Sequence, residues 1–238
     1  MSGHSKWSNI QHRKSNQDFK KSKKFSKIIK EISTAVKESG TNNSRFRNAI
    51  VSAKSVNIPK NTIEKAIKKA LQMKTDDYKN LNLEGLIHGI SIIIECMTNN
   101  SLRTTSNIRT FFNKNGGRLC HNGKLIHFFH RMGVFCIKER DIHDSMENFE
   151  LMTIDFGAQY IKKNHDIIYL YTYFEHFGFM KDNLEKLKIP HEYQVERIPK
   201  QIKSISEEKR NKVLNFIKKL HSNEDVENIY SNMNENQK

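Results

Sequence analysis

No apolar run in this chain approaches a membrane span: Ile92-Ile93-Ile94 covers three residues, where a spanning helix needs about 20. No hydrophobic region follows Met1, so no secretory leader is expected. The first 30 residues are basic, but they use Lys more than Arg and hold Trp7 and Phe19, a poor match to a mitochondrial leader. Cysteine is scarce. The three present, Cys96, Cys120 and Cys136, are an odd number without a C-x-x-C pair, which fits a reducing cytoplasm better than a disulfide scaffold. G-x-S-x-G, G-x-x-x-x-G-K and G-x-G-x-x-G are all missing, which removes the hydrolase elbow, the phosphate-binding loop and the dinucleotide fold as readings. The remaining catalytic and metal signals are weak. Cys120-His121 has no second pair at ligand spacing, and His127 and His130 fall on opposite faces if the strand expected over 125–129 continues to His130. Glu207-Glu208 and Asp76-Asp77 are adjacent acids near element ends, suited to capping helices. No enzyme, cofactor, metal or small-molecule substrate is expected.

The most informative lack is of acid in the first third. Residues 1–75 carry 18 Lys and Arg against 4 Asp and Glu, whereas residues 76–238 carry 23 against 22. Nearly all of the net charge of +15 is therefore concentrated in one segment. The chain is rich in Lys, Asn and Ile, as AT-rich coding favours, but such drift acts along a whole chain and does not produce this asymmetry. A dense polycation repels itself unless it meets a polyanion, and nucleic acid is the commonest one in a cell.

Hydrophobic periodicity divides the chain into three sections. In the first, Phe25, Ile28, Ile29, Ile32, Ala35 and Val36 recur at helical spacing up to a stop at Gly40. Phe46, Ala49, Ile50 and Ala53 form a second stripe. Ile63, Ala66, Ile67, Ala70 and Leu71 form a third, with Pro59 suited to its first turn. The second section reads as a buried strand over 87–97, a helix around Ile108, Phe111 and Phe112 ending at Asn115-Gly116-Gly117, and a strand over 125–129. The third runs strand 133–138, helix 144–156, a hairpin of 159–163 and 167–173, helix 177–187 and strand 192–198, which is the β-α-β-β-α-β order of a ferredoxin-like domain. A helix over 207–220 and a strand over 226–230 follow, completing an α/β unit that the third section interrupts. The expected fold class is α+β: a three-helix basic domain with an N-terminal arm (1–76), then two small α/β domains. The first of these is discontinuous (80–131 and 201–238), and the ferredoxin-like domain (132–200) is inserted into it.

The opening Met1-Ser2-Gly3-His4-Ser5-Lys6-Trp7-Ser8-Asn9-Ile10-Gln11-His12-Arg13-Lys14 resembles the start of the YebC/PmpR family. So do Gln17-Asp18, 25–32, 57–67, Ile94-Glu95-Cys96-Met97-Thr98-Asn99-Asn100 with Arg103-Thr104, Lys114-Asn115-Gly116-Gly117, and Asp225-Val226-Glu227-Asn228-Ile229-Tyr230. The resemblance implies a helical domain followed by two α/β domains, one inserted in the other. It also implies a DNA-binding transcriptional regulator or, as for a mitochondrial translational activator and for bacterial members linked to ribosomes stalled on proline runs, a translation factor contacting ribosomal or transfer RNA. Two departures stand out. Gly85-Leu86-Ile87-His88-Gly89-Ile90 replaces the Gly-Pro-Gly-Gly-like turn of the family, and the inserted domain is not strongly acidic.

The candidate nucleic-acid contacts are Lys6, Trp7, Arg13 and Lys14 on the arm; Lys20, Lys21, Lys23, Lys24, Lys27 and Lys30 on the first helix; and Lys60, Lys65, Lys68 and Lys69 on the third. Lysines neutralise phosphates without reading sequence, while Trp7 suits either stacking on a base or anchoring the arm. Arg103, Arg109, Lys114 and Arg118 form a second basic set. The excess of Lys over Arg, and the lack of a helix with Arg, Asn and Gln at base-reading spacing, favour phosphate contact over bidentate recognition of bases. A third reading remains: a protein-interaction scaffold whose basic segment only solubilises it.

Overall fold

Alternation of apolar and charged residues at a period near 3.6 produces the first three helices in the computed structural model, which describes residues 14–72 and 78–234; for 14–23 and 72 only the backbone is described. Helices α1 (Lys14–Ser39), α2 (Ser44–Ser55) and α3 (Lys60–Gln72) bury their stripes against one another. Their shared core includes Ile28, Ile32, Val36, Ala49, Ala53, Ile58 and Ile63. Gly40, at φ +69°, ends α1 in a conformation that costs a residue with a Cβ about 1–2 kcal/mol. Asn43 then caps α2: its side-chain oxygen accepts from Phe46 N at 2.7 Å and its amide donates to Ala35 O and Gly40 O.

The chain next forms a four-stranded antiparallel sheet in the order β3-β1-β2-β8. Its strands are β1 (Lys79–Ile87), β2 (Ile90–Thr98), β3 (Gly117–Leu119) and β8 (Val226–Ser231). The single strand expected over 87–97 is instead the second arm of a hairpin. His88 (φ +49°) and Gly89 (φ +80°) form its two-residue turn, and positive φ at both positions matches the twist of the flanking strands. Helices α4 (Ser101–Lys114) and α7 (Glu207–His221) cover one face through Ile108, Phe112, Val213, Phe216, Ile217 and Leu220. The strand expected over 125–129 is not formed. A 3-10 turn occupies Ile126–Phe128, and the buried Glu84 carboxylate holds the segment by accepting from the N–H groups of Gly123, Leu125 and Ile126.

A second antiparallel sheet, ordered β5-β6-β4-β7, consists of β4 (Phe129–Lys138), β5 (Ala158–Asn164), β6 (Ile167–Tyr173) and β7 (His191–Pro199). Helices α5 (Met146–Asp155) and α6 (Phe177–Lys186) pack on one face around Phe135, Ile137, Phe149, Ile168, Leu170 and Leu184. This is a β-α-β-β-α-β unit. Chain contacts divide the molecule into two compact units, Met1–Ile126 with Ile202–Lys238, and His127–Gln201. The first three helices and the first sheet therefore belong to one unit, while the second sheet and its helices form the other. The fold is α+β.

Candidate nucleic-acid interface

Helix α1 sorts its cations by their angle around its axis. Lys24 and Lys27 lie on the exposed side, with no carboxylate partner among the described residues. Lys14, Lys20, Lys21 and Lys23 are in the same helix, but their side chains lie outside the described set, as do Lys6, Trp7 and Arg13 altogether. At a rise of about 1.5 Å per residue, Lys24 and Lys27 stand about 4.5 Å apart along the helix axis, outside the buried stripe.

Among the described side chains, the two acids of α1 are held elsewhere. Arg45 of α2 donates from Nε to Glu31 Oε1 at 2.7 Å and from Nη1 to both carboxylate oxygens of Glu38, at 2.7 and 2.6 Å. The hydrogen bond it donates to Glu31, followed by those to Glu38, holds the guanidinium even further above its ordinary range, against the opposing effect of burial. Glu31 thus pairs across the helical interface rather than with its lysine neighbours.

Lys30 is a correction to the sequence reading. It is 9% exposed. Its ammonium donates to Glu224 O at 2.7 Å and Met97 O at 3.3 Å, and lies 3.4 Å from Glu227 Oε1. The ring of Tyr78 lies 5.7 Å from the same nitrogen. The ammonium is therefore an internal tie between α1 and the ends of β2 and β8. Lys30, Ser33 and Lys37 follow one another at helical i, i+3, i+7 spacing, on the side of α1 away from the centre of its apolar stripe. With Lys69, Tyr78 and neighbouring apolar side chains they line a cleft of about 110 Å³ between α1 and α3. Sequence reasoning missed Lys37 and Arg45, and no local pattern marked either.

On α3, Lys60 makes a loose exposed pair with Glu64 at 3.7 Å, a contact worth little in water. Lys65, Lys68 and Lys69 are exposed and have no carboxylate partner among the described residues. The second basic set is spread over α4 and β3, with Arg103, Arg109, Lys114 and Arg118 all exposed. Arg103 differs from the others: it donates to Asn99 Oδ1 at 3.1 Å and lies 3.6 Å from Asp225, which also accepts from Thr104 Oγ1 at 2.7 Å.

Among the described residues, no group of three or more His, Cys, Asp or Glu could hold a metal ion. His127 sits in the 3-10 turn with its ring 4.1 Å from that of Phe128, whereas His130 lies in β4, 5.3 Å from the ring of Tyr173. Glu207 and Glu208 occupy the first turn of α7, where they meet the positive end of the helix dipole. Lys212 donates to Glu208 and holds that carboxyl below its usual range. Among the described residues, no helix is long and apolar enough to cross a membrane.

Two family models match. Residues 5–73 match the TACO1/YebC protein N-terminal domain, and residues 78–233 match the TACO1/YebC second and third domain. A protein named "Probable transcriptional regulatory protein" from Amoebophilus asiaticus is 39% identical over 99% of each chain. A protein of the same name from Thermotoga maritima is 39% identical over 98% of this chain and 93% of its own. The crystal structure of a conserved hypothetical protein from Aquifex aeolicus is 32% identical, covers 96% of this chain and 98% of its own, and superposes with a TM-score of 0.76.

Proposed function

The chain belongs to the TACO1/YebC family, and on that premise we propose that it is a non-enzymatic regulator of gene expression that binds nucleic acid through its basic helical domain, in the cytoplasm. The names of its relatives support a transcriptional role with duplex DNA as the target. The observation that carries the binding reading is the excess of cations in the first 75 residues, together with the diversion of Glu31 and Glu38 to Arg45. Phosphates are the ligand that such a surface suits. Lys20, Lys21, Lys23, Lys24 and Lys27 grip the backbone with Lys65, Lys68 and Lys69, and Lys6, Trp7, Arg13 and Lys14 extend the grip along the arm. Arg109, Lys114 and Arg118 enlarge the footprint.

The second reading is a ribosome-associated factor that contacts structured RNA and relieves stalled elongation. The predominance of Lys over Arg favours it, because lysines bind phosphate without discriminating between bases. Both readings share one test. If about six phosphates are engaged, affinity for duplex DNA or ribosomal RNA falls about 10³-fold between 50 and 200 mM salt. Replacing Lys20, Lys21, Lys23 and Lys24 together by Glu abolishes retention while circular dichroism stays unchanged. Unchanged affinity in a normally helical variant would leave the scaffold reading in its place. A preference for duplex DNA over ribosomal particles, measured in one competition assay, separates the first reading from the second.

A further inference from the structure

Among the described residues, neither helix of the second unit packs on the other face of its sheet, and that face is rich in tyrosine. Along β6, Ile168, Leu170 and Thr172 point toward α5 and α6, so Tyr169, Tyr171 and Tyr173 point the other way, where they pack with Met132, Val134 and Ile198. Edge strand β5 contributes a fourth ring through an irregularity. Its pairing with β6 shifts between Ala158 and Tyr160, so Ala158 meets Thr172 on the helical side while Tyr160 pairs with Tyr171. A β-bulge of this kind re-aims a side chain. Here it sets Tyr160 against Tyr171 with ring centroids 4.3 Å apart and planes 21° from parallel. Tyr160 is 39% exposed, Tyr169 and Tyr173 are partly exposed, and Tyr171 is buried beneath its neighbours.

The cations and hydrogen-bonding groups of this face are also placed in register. Lys162 pairs directly with Tyr169 across β5 and β6, and Lys138 pairs with Ile167, one step diagonally from Tyr169. On the opposite edge, β7 presents Gln194 and Glu196, which are joined by a hydrogen bond from the amide to the carboxylate. Rings at the middle, ammonium groups beside them and amide and carboxyl acceptors at the far edge correspond to the three needs of a single nucleic-acid strand: a surface for base stacking, charge for phosphates, and partners for base edges.

From this juxtaposition we infer that the open sheet face of residues 127–201 binds single-stranded RNA, stacking bases on Tyr160, Tyr169 and Tyr173 with phosphates at Lys138 and Lys162. The face also carries Glu192 and lies near Asp166, so its charge is mixed and its affinity depends chiefly on stacking. Burial pushes the Tyr160 hydroxyl up to about 12, so the ring stays a neutral phenol at physiological pH. Burial likewise pushes the Glu196 carboxyl up to about 7, which lowers its repulsion of a phosphate strand and lets its protonated form donate to a base carbonyl. This surface belongs to the second unit and makes no use of the lysines of α1 and α3.

The test uses the full chain with an oligouridylate at a salt concentration high enough to weaken phosphate contacts, and with a duplex RNA of equal length at low salt. Tyr160→Ala with Tyr169→Ala weakens binding of the single strand about tenfold or more and leaves duplex binding unchanged, whereas Tyr160→Phe with Tyr169→Phe retains both. In the parent chain, a 4-thiouridine oligonucleotide crosslinks to peptides containing residues 158–173, a readout that does not depend on either variant folding. Crosslinks confined to residues 1–72, or equal single-strand affinity in the alanine variant, overturn the inference. So does loss of binding to a proline-rich peptide with RNA affinity intact, which would assign the face to a protein partner. The lysine variant of α1 lowers duplex binding at low salt and leaves single-strand binding at high salt unchanged, so failure of that reading is distinguishable from failure of this one.

Discussion

Replacing Lys30 by Met separates a structural lysine from a nucleic-acid ligand. The substitution keeps most of the aliphatic length and removes the ammonium. It leaves the Glu224 and Met97 carbonyls without that donor and the Glu227 carboxylate, 13% exposed at its side chain, without that cation. Breaking a buried ion pair from one side costs about 3–5 kcal/mol. The contact with Glu227 at 3.4 Å is long, and the short bond at 2.7 Å goes to a neutral carbonyl, so a loss of about 2–4 kcal/mol is expected here. Removing both charges, in Lys30→Met with Glu227→Leu, restores much of that loss, because an apolar pair of similar volume carries no uncompensated charge. The assay is urea denaturation of the parent, the two single variants and the double variant, followed by circular dichroism, from which a double-mutant cycle gives a coupling of about 1–2 kcal/mol. Lys30→Met within about 0.5 kcal/mol of the parent, combined with weakened nucleic-acid binding, would refute the reasoning and return Lys30 to the phosphate-binding row.

Two further outcomes follow from the same kind of geometry. The Glu196 carboxyl is raised by burial from 4.5 to about 7, so the folded chain binds its proton more tightly than the unfolded chain does. The stability this provides is fully present below about pH 4.5 and is lost as pH rises through about 7. With burial incomplete the loss is about 2 kcal/mol. Glu196→Gln removes this dependence, and identical pH–stability curves for the two chains between pH 4.5 and 8 would contradict the assignment. At the end of α4, a Cβ on Gly117 would lie 2.8 Å from the Leu86 carbonyl oxygen and 2.9 Å from the Phe112 ring, whereas at Gly116 (φ +74°) it would meet nothing closer than 3.8 Å. Gly117→Ala therefore costs about 2–3 kcal/mol by overpacking and Gly116→Ala about 1 kcal/mol by backbone strain; the reverse order in thermal melts would show that the close approach is relieved by local shifts.

The parts of the fold that sequence periodicity revealed are those with one buried and one exposed face. Helices α1 to α3 alternate cleanly, and the second unit has strands and helices of ordinary length bounded by turn residues such as His165-Asp166. Of the β1–β2 hairpin only the second arm was read: β2 is buried along almost its whole length, so no alternation marks where it begins, and the Leu81, Leu83 alternation of β1 is set among Asn80, Asn82 and Glu84. The turn, His88-Gly89, lacks the Asn-Gly or Asp-Gly signature that marks such a hairpin most strongly. The strand expected over 125–129 failed for a tertiary reason: the segment is apolar enough, but its N–H groups are taken by Glu84, about 40 positions earlier in the chain. No local pattern encodes that contact. The aromatic face of the second sheet was half legible. The Tyr169, Tyr171, Tyr173 alternation is visible in the sequence, whereas the addition of Tyr160 depends on a bulge that only the pairing register reveals.

Charge itself was legible, but its allocation was not. Three kinds of cation stand within the helical domain, and geometry alone separates them. Arg45 can engage two carboxylates at once because its planar guanidinium offers several fixed donors; a lysine in its place would satisfy Glu31 or Glu38 but not both with the same directionality. Lys30 lies on the side of α1 away from the α2–α3 core, where the ends of β2 and β8 cover it and its flexible stem brings the ammonium to their carbonyl groups. Lys24 and Lys27 meet no such cover and face solvent. The surplus charge available to a partner is therefore what remains after internal acids are matched, and the matching falls to the residues nearest the core. Counting lysines along α1 overstates the surface by Lys30 but understates its strength, because Arg45 keeps Glu31 and Glu38 from screening the rest.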